Sequence, residues 1–203
     1  VHLDGARFAN ACVALGCTPA EMTWKAGVDV AVFGGTKNGL MGVEAVIFFD
    51  PAKAAAFGYR RKRGAQLFSK HRYLAAQMAA YLQDDLWRDL AERANARCAE
   101  LVDGLKGIAE PRNDARANML FAAMPRAVHK RLLAGGAQYH LWGDSLDGDG
   151  PDEMLTARLV CDWSLDPAAV TAVNSRMRLI FRRRSGNSGT CGIRRITLEP
   201  RAS

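Results

Sequence analysis

One lysine in this 203-residue chain stands where covalent chemistry could be done. Lys37 lies in Phe33-Gly34-Gly35-Thr36-Lys37-Asn38-Gly39, directly after the apolar run 28–33. A lysine amine, once deprotonated by burial or nearby charge, forms a Schiff base with a carbonyl cofactor. Glycines around it let the backbone approach a ligand closely and take positive φ. Upstream, Asp4 follows another apolar stretch, and Arg7 stands one helical turn further on. An aspartate at a strand end can keep a pyridine nitrogen protonated, and an Asp4–Arg7 pair can face one cofactor edge. The combination suggests a pyridoxal 5'-phosphate enzyme. Taken singly, each feature has a plainer reading: Lys37 as a solvated loop residue, Asp4 and Arg7 as a local ion pair at a helix start.

Segments 2–11, 33–39, 59–63 and 66–70 together resemble the low-specificity L-threonine aldolase family. The likeness is closest to its bacterial branch with a Gly-Gly-Thr-Lys-Asn-Gly lysine loop. It runs through most of residues 1 to about 174 and is densest in the first half. The resemblance implies an α/β architecture of the fold-type-I, pyridoxal-phosphate-dependent transferase-like kind. Residues 1–110 would be part of the large cofactor-binding domain, a partial sheet with its helices. Residues 111–174 would be a small C-terminal α/β domain, and 175–203 an atypical basic tail. The implied protein is a cytoplasmic homodimer or homotetramer acting on a small amino-acid substrate.

By the same resemblance, Lys37 carries the cofactor and, once freed, is one candidate to move protons, a water or another residue being the other. Asp4 sits against the pyridine nitrogen and Arg7 approaches the phenolic oxygen. Arg158, in Ala157-Arg158-Leu159-Val160-Cys161-Asp162-Trp163, binds the substrate carboxylate, a task suited to a planar bidentate cation. Without the resemblance, an arginine at a strand start is an ordinary surface charge. His2, close to Asp4 in sequence, is a candidate to orient it; His71, His129 and His140 match no family position. The implied reaction is a retro-aldol cleavage. A β-hydroxy-α-amino acid loses its hydroxyl proton, the Cα–Cβ bond breaks, the aldehyde departs, and protonation at Cα leaves glycine. Threonine gives acetaldehyde, and phenylserine-type substrates fit the same scheme.

Two other readings stand beside this one. On the same scaffold, the chain could be a serine hydroxymethyltransferase-like or β-eliminating lyase, against which the Asp-Gly-Ala-Arg and lysine-loop wording argues. From a different class comes an inactive truncated remnant or interaction module. The family's first third, with its glycine-rich phosphate loop and stacking histidine, has no counterpart here, so a fragment with an uncovered apolar sheet face is expected.

Composition narrows the alternatives. The net charge of +7 is concentrated in 175–203, which holds eight arginines and one acid, while the rest is balanced. That stretch shows little periodicity and little aromatic interleaving, so nucleic-acid binding is disfavoured against aberrant or out-of-frame sequence. No apolar run is long enough to span a membrane. Cys12, Cys17, Cys98, Cys161 and Cys191 are scattered and read as reduced, mostly buried thiols. No metal site is expected. Cys12 and Cys17 lack partners, and the acidic loop 144–152 lacks the closing glutamate of a calcium loop, which leaves a solvated turn.

Periodicity predicts a strand end at 1–3, helices at 6–15 and from Thr18, and strands at 28–33 and 43–49 buried on both faces. A helix begins at Asp50-Pro51, a long amphipathic helix covers 63–82, and another covers 85–105. Beyond Pro111, strands at 118–123, 139–142 and 158–163 alternate with helices at 125–134 and 167–173. The basic run 60–63 is expected to form a solvated helix entrance or a subunit contact.

Overall fold

The computed structural model describes residues 1–67, 69–182 and 196–197. The chain divides into two compact units, Val1–Glu92 and Arg93 onward.

In unit 1, strands β1 (His2–Leu3), β2 (Val30–Gly34) and β3 (Glu44–Phe48) form a sheet in that order, with β1–β2 parallel and β2–β3 antiparallel. Helix α1 (Phe8–Leu15) ends at Gly16, whose φ of +63° closes the helix in the left-handed region. Helix α2 (Pro19–Met22) starts with a capping box between Thr18 and Glu21 and a proline in its first turn. The core gathers around Phe33 of β2, whose ring centre lies 5.6 Å from Phe8, 5.6 Å from Tyr81 and 5.9 Å from Trp87. The rings meet edge-on or tilted, as aromatic quadrupoles favour.

The strands of unit 1 are not buried on both faces, against the prediction from their apolar runs alone and in line with the uncovered apolar sheet face expected of a fragment. Val46 and Ile47 of β3 are each 40% exposed, and Val1, Val30, Val32, Val46, Phe48 and Phe57 line an open apolar depression. A continuous apolar run records a strand's capacity for two-sided burial, not the presence of a cover.

After α3 (Pro51–Ala54) comes α4 (Phe57–Arg63), then α5 (Arg72–Leu82). The expected single helix over 63–82 is therefore wrong in its first half. The Gly64 amide closes α4 on the Arg60 carbonyl, and Ala65 at φ +56° turns the chain away. Arg60 to Arg63 end a helix and do not open one; there they complement the negative end of its dipole. Positive φ at Asp84 and Asp85 then separates α5 from α6 (Leu86–Gly104).

Unit 2 is built on an antiparallel sheet. Strands β4 (Glu110–Pro111), β5 (Met119–Pro125), β8 (Met154–Val160) and β7 (His140–Leu141) lie in the order β4–β5–β8–β7; α7 (Arg126–Ala134) and β6 (Ala137–Gln138) lie between them in sequence. Strand β6 pairs with β9 (Ile196–Thr197). Leu120, Ala157 and Leu159 face a core shared with Leu101, Leu132 and Val170. Helix α8 (Pro167–Arg182) runs well past the expected end at 173. Met177 is 6% exposed and Ile180 and Phe181 pack on the core, so the first part of the basic stretch is an integral amphipathic helix. The remainder of 175–203, apart from β9, lies outside the described residues, as does Cys191. The expected domain boundary near Pro111 falls inside unit 2.

Candidate active site

Because β1 and β2 are parallel, with His2 beside Val30 and Leu3 beside Ala31, both strands end at one edge of the sheet. Asp4 follows β1 directly, and the lysine turn follows β2. Open α/β sheets present their ligands at the carboxyl ends of parallel strands. Glycines let the two strand ends touch. A Cβ on Gly5 would lie 1.7 Å from the Val32 carbonyl oxygen, and one on Gly34 would lie 2.9 Å from the Gly5 carbonyl oxygen. The Gly34 amide donates to that Gly5 carbonyl at 3.2 Å. Asp4 and Lys37 therefore ride on two backbones locked to each other.

Asp4 is exposed, and its Oδ1 accepts the Ala6 amide at 3.0 Å, a local turn that orients the carboxylate. Arg7 is half-buried at the cap of α1. Lys37 is exposed at the centre of a 3₁₀ turn, Thr36–Asn38. The turn is held from both sides. The Gly35 amide donates to the Val43 carbonyl at 3.0 Å, and the Asn38 amide donates back to Gly35 at 2.9 Å. Asn38 is 3% exposed; its Nδ2 donates to the Tyr81 hydroxyl and, at 2.9 Å, to the Trp87 carbonyl. Burial pushes the Tyr81 phenol up, which keeps it a neutral hydrogen-bonding group. Lys37 thus leaves the surface from a turn whose next residue is fastened into the core.

Arg158 belongs to unit 2. It is the fifth residue of β8, not the first, which corrects the expected strand start. Leu155, Ala157 and Leu159 point into the core, so Arg158 stands half-buried on the opposite face of the central strand. It lies across from Phe121 on one side and His140 on the other. Its guanidinium carbon is 5.8 Å from the centre of the Trp142 ring.

Two further polar features of unit 2 are structural. His129 is fully buried in α7. Its Nε2 lies 2.9 Å from the Leu155 carbonyl, which can only accept, so Nε2 carries the proton and Nδ1 accepts the Tyr139 hydroxyl at 2.8 Å. The acidic loop 144–152 wraps a guanidinium. Buried Arg126 donates to the Ser145 carbonyl at 2.7 Å, to the Asp147 carbonyl, and to Glu153 at 2.5 Å. The loop is exposed, as a solvated turn is, while its carbonyls hold that guanidinium. Among the described residues no cluster of metal-ligating side chains occurs. Cys12, Cys98 and Cys161 are buried free thiols and Cys17 is half-buried.

Sequence reading placed the lysine turn and the acidic turn but did not identify what holds them. Asn38 was visible inside the motif, but its partners lie 43 and 49 residues away, and no local pattern announces them. Trp142 beside Arg158 is likewise set by strand register.

A family described as beta-eliminating lyase matches residues 1–125, a span containing Asp4, Arg7 and Lys37. Two relatives called low specificity L-threonine aldolase are similar over 185 residues: one from Pseudomonas aeruginosa at 42% identity, one from Pseudomonas sp. (strain NCIMB 10558) at 40%. Each match covers 89% of this chain and 50% of the relative, so the chain spans about half the length of the curated relatives it matches. A solved structure of Leishmania major threonine aldolase aligns with a TM-score of 0.76 at 23% identity, covering 88% of this chain and 51% of that one. That likeness shows the fold-type-I architecture.

Proposed function

Because the chain belongs to the beta-eliminating lyase family, we propose that it is part of a pyridoxal-phosphate-dependent aldolase that cleaves L-threonine and related β-hydroxy-α-amino acids to glycine and an aldehyde. One observation carries the reading: parallel β1 and β2 bring Asp4, Arg7 and Lys37 to a single sheet edge, in a chain 42% identical to a low specificity L-threonine aldolase over the matched region.

The donor set at that edge suits the cofactor. It offers an exposed primary amine, an oriented carboxylate and a guanidinium, the three groups that an aldehyde, a pyridine nitrogen and a phenolic oxygen would engage. Pyridoxal phosphate, when bound, supplies an electron sink for negative charge at the substrate's Cα. Asp4 would hold a proton at the ring nitrogen, favoured by the opposite charge it creates there. Arg7 would donate to the phenolic oxygen. Lys37 would hold the cofactor through Nζ and, once released by the substrate amine, carry a proton at that same atom. Arg158 would bind the substrate carboxylate by two parallel N–H donors. Residues 1–110 would then be part of the cofactor-binding domain and 111–174 the small domain. Among the described residues, no helix is long and apolar enough to cross a membrane. The working setting proposed is a cytoplasmic homo-oligomer.

A second reading, β-elimination, is favoured by the family's own description. The two separate cleanly by product. Aldol cleavage of threonine gives acetaldehyde and glycine, while elimination of its β-hydroxyl gives 2-oxobutanoate and ammonia. The test is product analysis after threonine is supplied to this chain joined to the remaining half of such an enzyme. Acetaldehyde with an equal amount of glycine supports the aldolase; 2-oxobutanoate as the main product replaces it with the lyase.

A further inference from the structure

We infer that Trp142 is a positioning residue for Arg158, a ring that holds the guanidinium flat and ready for a carboxylate; the inference rests on the carboxylate-binding role proposed above. In the antiparallel pairing of β7 with β8, His140 stands opposite Arg158 and Leu141 opposite Ala157. The Trp142 amide then donates to the Thr156 carbonyl at 2.8 Å, which continues the register by one residue. Trp142 is thereby the diagonal neighbour of Arg158 on the same face of the sheet, a spacing that long and aromatic side chains bridge. The observed distance of 5.8 Å from guanidinium carbon to ring centre is within the range of a cation–π contact.

The ring is itself held. Phe121 of β5 lies directly across from Arg158 on the other flank of β8, and its ring centre is 5.3 Å from that of Trp142 at an interplanar angle of 61°. Two aromatic rings from strands on either side of β8 thus meet above the central strand, beside Arg158. The backbone beyond is pinned as well, since Asp144 Oδ2 accepts the Thr156 amide at 2.6 Å. A free arginine side chain loses much rotamer entropy when it grips a ligand. Contact with a fixed indole removes part of that cost before the ligand arrives. Trp142 is 59% exposed, so its loss empties no core.

The test uses the 203-residue chain, its variants Trp142→Ala, Trp142→Phe and Arg158→Lys, and two nuclear magnetic resonance readouts. The first is the heteronuclear relaxation of the Arg158 Nε–H group. It should report a rigid side chain in the wild type and in Trp142→Phe, and a mobile one in Trp142→Ala. The second is titration with glycine, with ethanolamine as the probe lacking a carboxylate. Glycine should shift the Arg158 signal, and Trp142→Ala should weaken that response about 3- to 5-fold, the loss expected for one partly exposed cation–π contact. Trp142→Phe should stay within about 2-fold, because another aromatic face replaces the first. An Arg158 as rigid in Trp142→Ala as in the wild type overturns the inference, and so does equal weakening in the alanine and phenylalanine variants. A different result would strike the premise instead: no glycine response at the Nε–H signal that Arg158→Lys deletes, or one matched by ethanolamine, removes the carboxylate role while the relaxation readout still decides what Trp142 does.

Discussion

Asn38 shows how Lys37, the residue proposed to hold the cofactor, is fixed by a neighbour fastened into the core. Lys37 and Asn38 are adjacent, yet one faces solvent and the other is almost completely buried. The amide of Asn38 satisfies a tyrosine hydroxyl and a main-chain carbonyl that belong to other segments. Replacing it with alanine would leave those groups buried without a donor, at about 1–3 kcal/mol for each group that water does not reach. We therefore expect Asn38→Ala to lower the urea midpoint of the chain without a change in m-value, and to loosen the lysine turn. Hydrogen exchange at the amides of Gly35 and Asn38 reads the second effect directly. An unchanged midpoint together with unchanged exchange would show that the anchor is dispensable.

At the scale of elements, the packing of α7 on β8 carries a pH dependence. Burial holds the His129 imidazole below its ordinary pKa, against the opposing pull of its carbonyl hydrogen bonds. In the unfolded chain the same group protonates near the ordinary value of about 6.5. As pH falls through that value, the unfolded state takes up a proton that the folded state refuses, so folding is weakened. The loss grows by up to about 1.4 kcal/mol per pH unit until the depressed folded pKa is passed. Above about 6.5 the group contributes no slope. Denaturation of the wild type and of His129→Gln from neutral to mildly acidic pH checks this; the variant should lack the acid-side decline. Asp29, held down to about 2 by Lys53 and the N-terminal amine, acts only at much lower pH and leaves that window clear.

This element also marks what the sequence could convey. The helix expected over 125–134 was legible from its period, as were the capping box at Thr18 and the glycine stop at Gly16, because each depends on nearby residues. The break after Arg63 was not, because the positive φ falls on Ala65 and not on Gly64 beside it. Nor was the reach of α8, where arginines on the outer face masked an apolar stripe through Met177 and Ile180. In the site, Asp4 and Lys37 could be picked out by type and family likeness, whereas Asn38 and Trp142 owe their roles to partners far away in sequence.

For the molecule as a whole, the groups proposed for cofactor and substrate would account for only part of a site. Asp4, Arg7, Lys37 and Arg158 include no cradle for a phosphate, which usually comes from backbone amides at a helix start or a glycine-rich turn. The chain also spans about half of its curated relatives. Assayed alone with excess cofactor and threonine, it should release acetaldehyde far more slowly than a full-length relative, and added amino acid should strip the cofactor away. Comparable turnover by both would contradict this. The central claim, that Lys37 is where the cofactor is held, has a more direct test. The chain is incubated with pyridoxal phosphate, reduced with borohydride and digested, and the modified peptide is identified by mass spectrometry. The account predicts the pyridoxyl group on Lys37 and its disappearance in Lys37→Ala; modification centred on Lys25, Lys53 or Lys70, persisting in that variant, would contradict it.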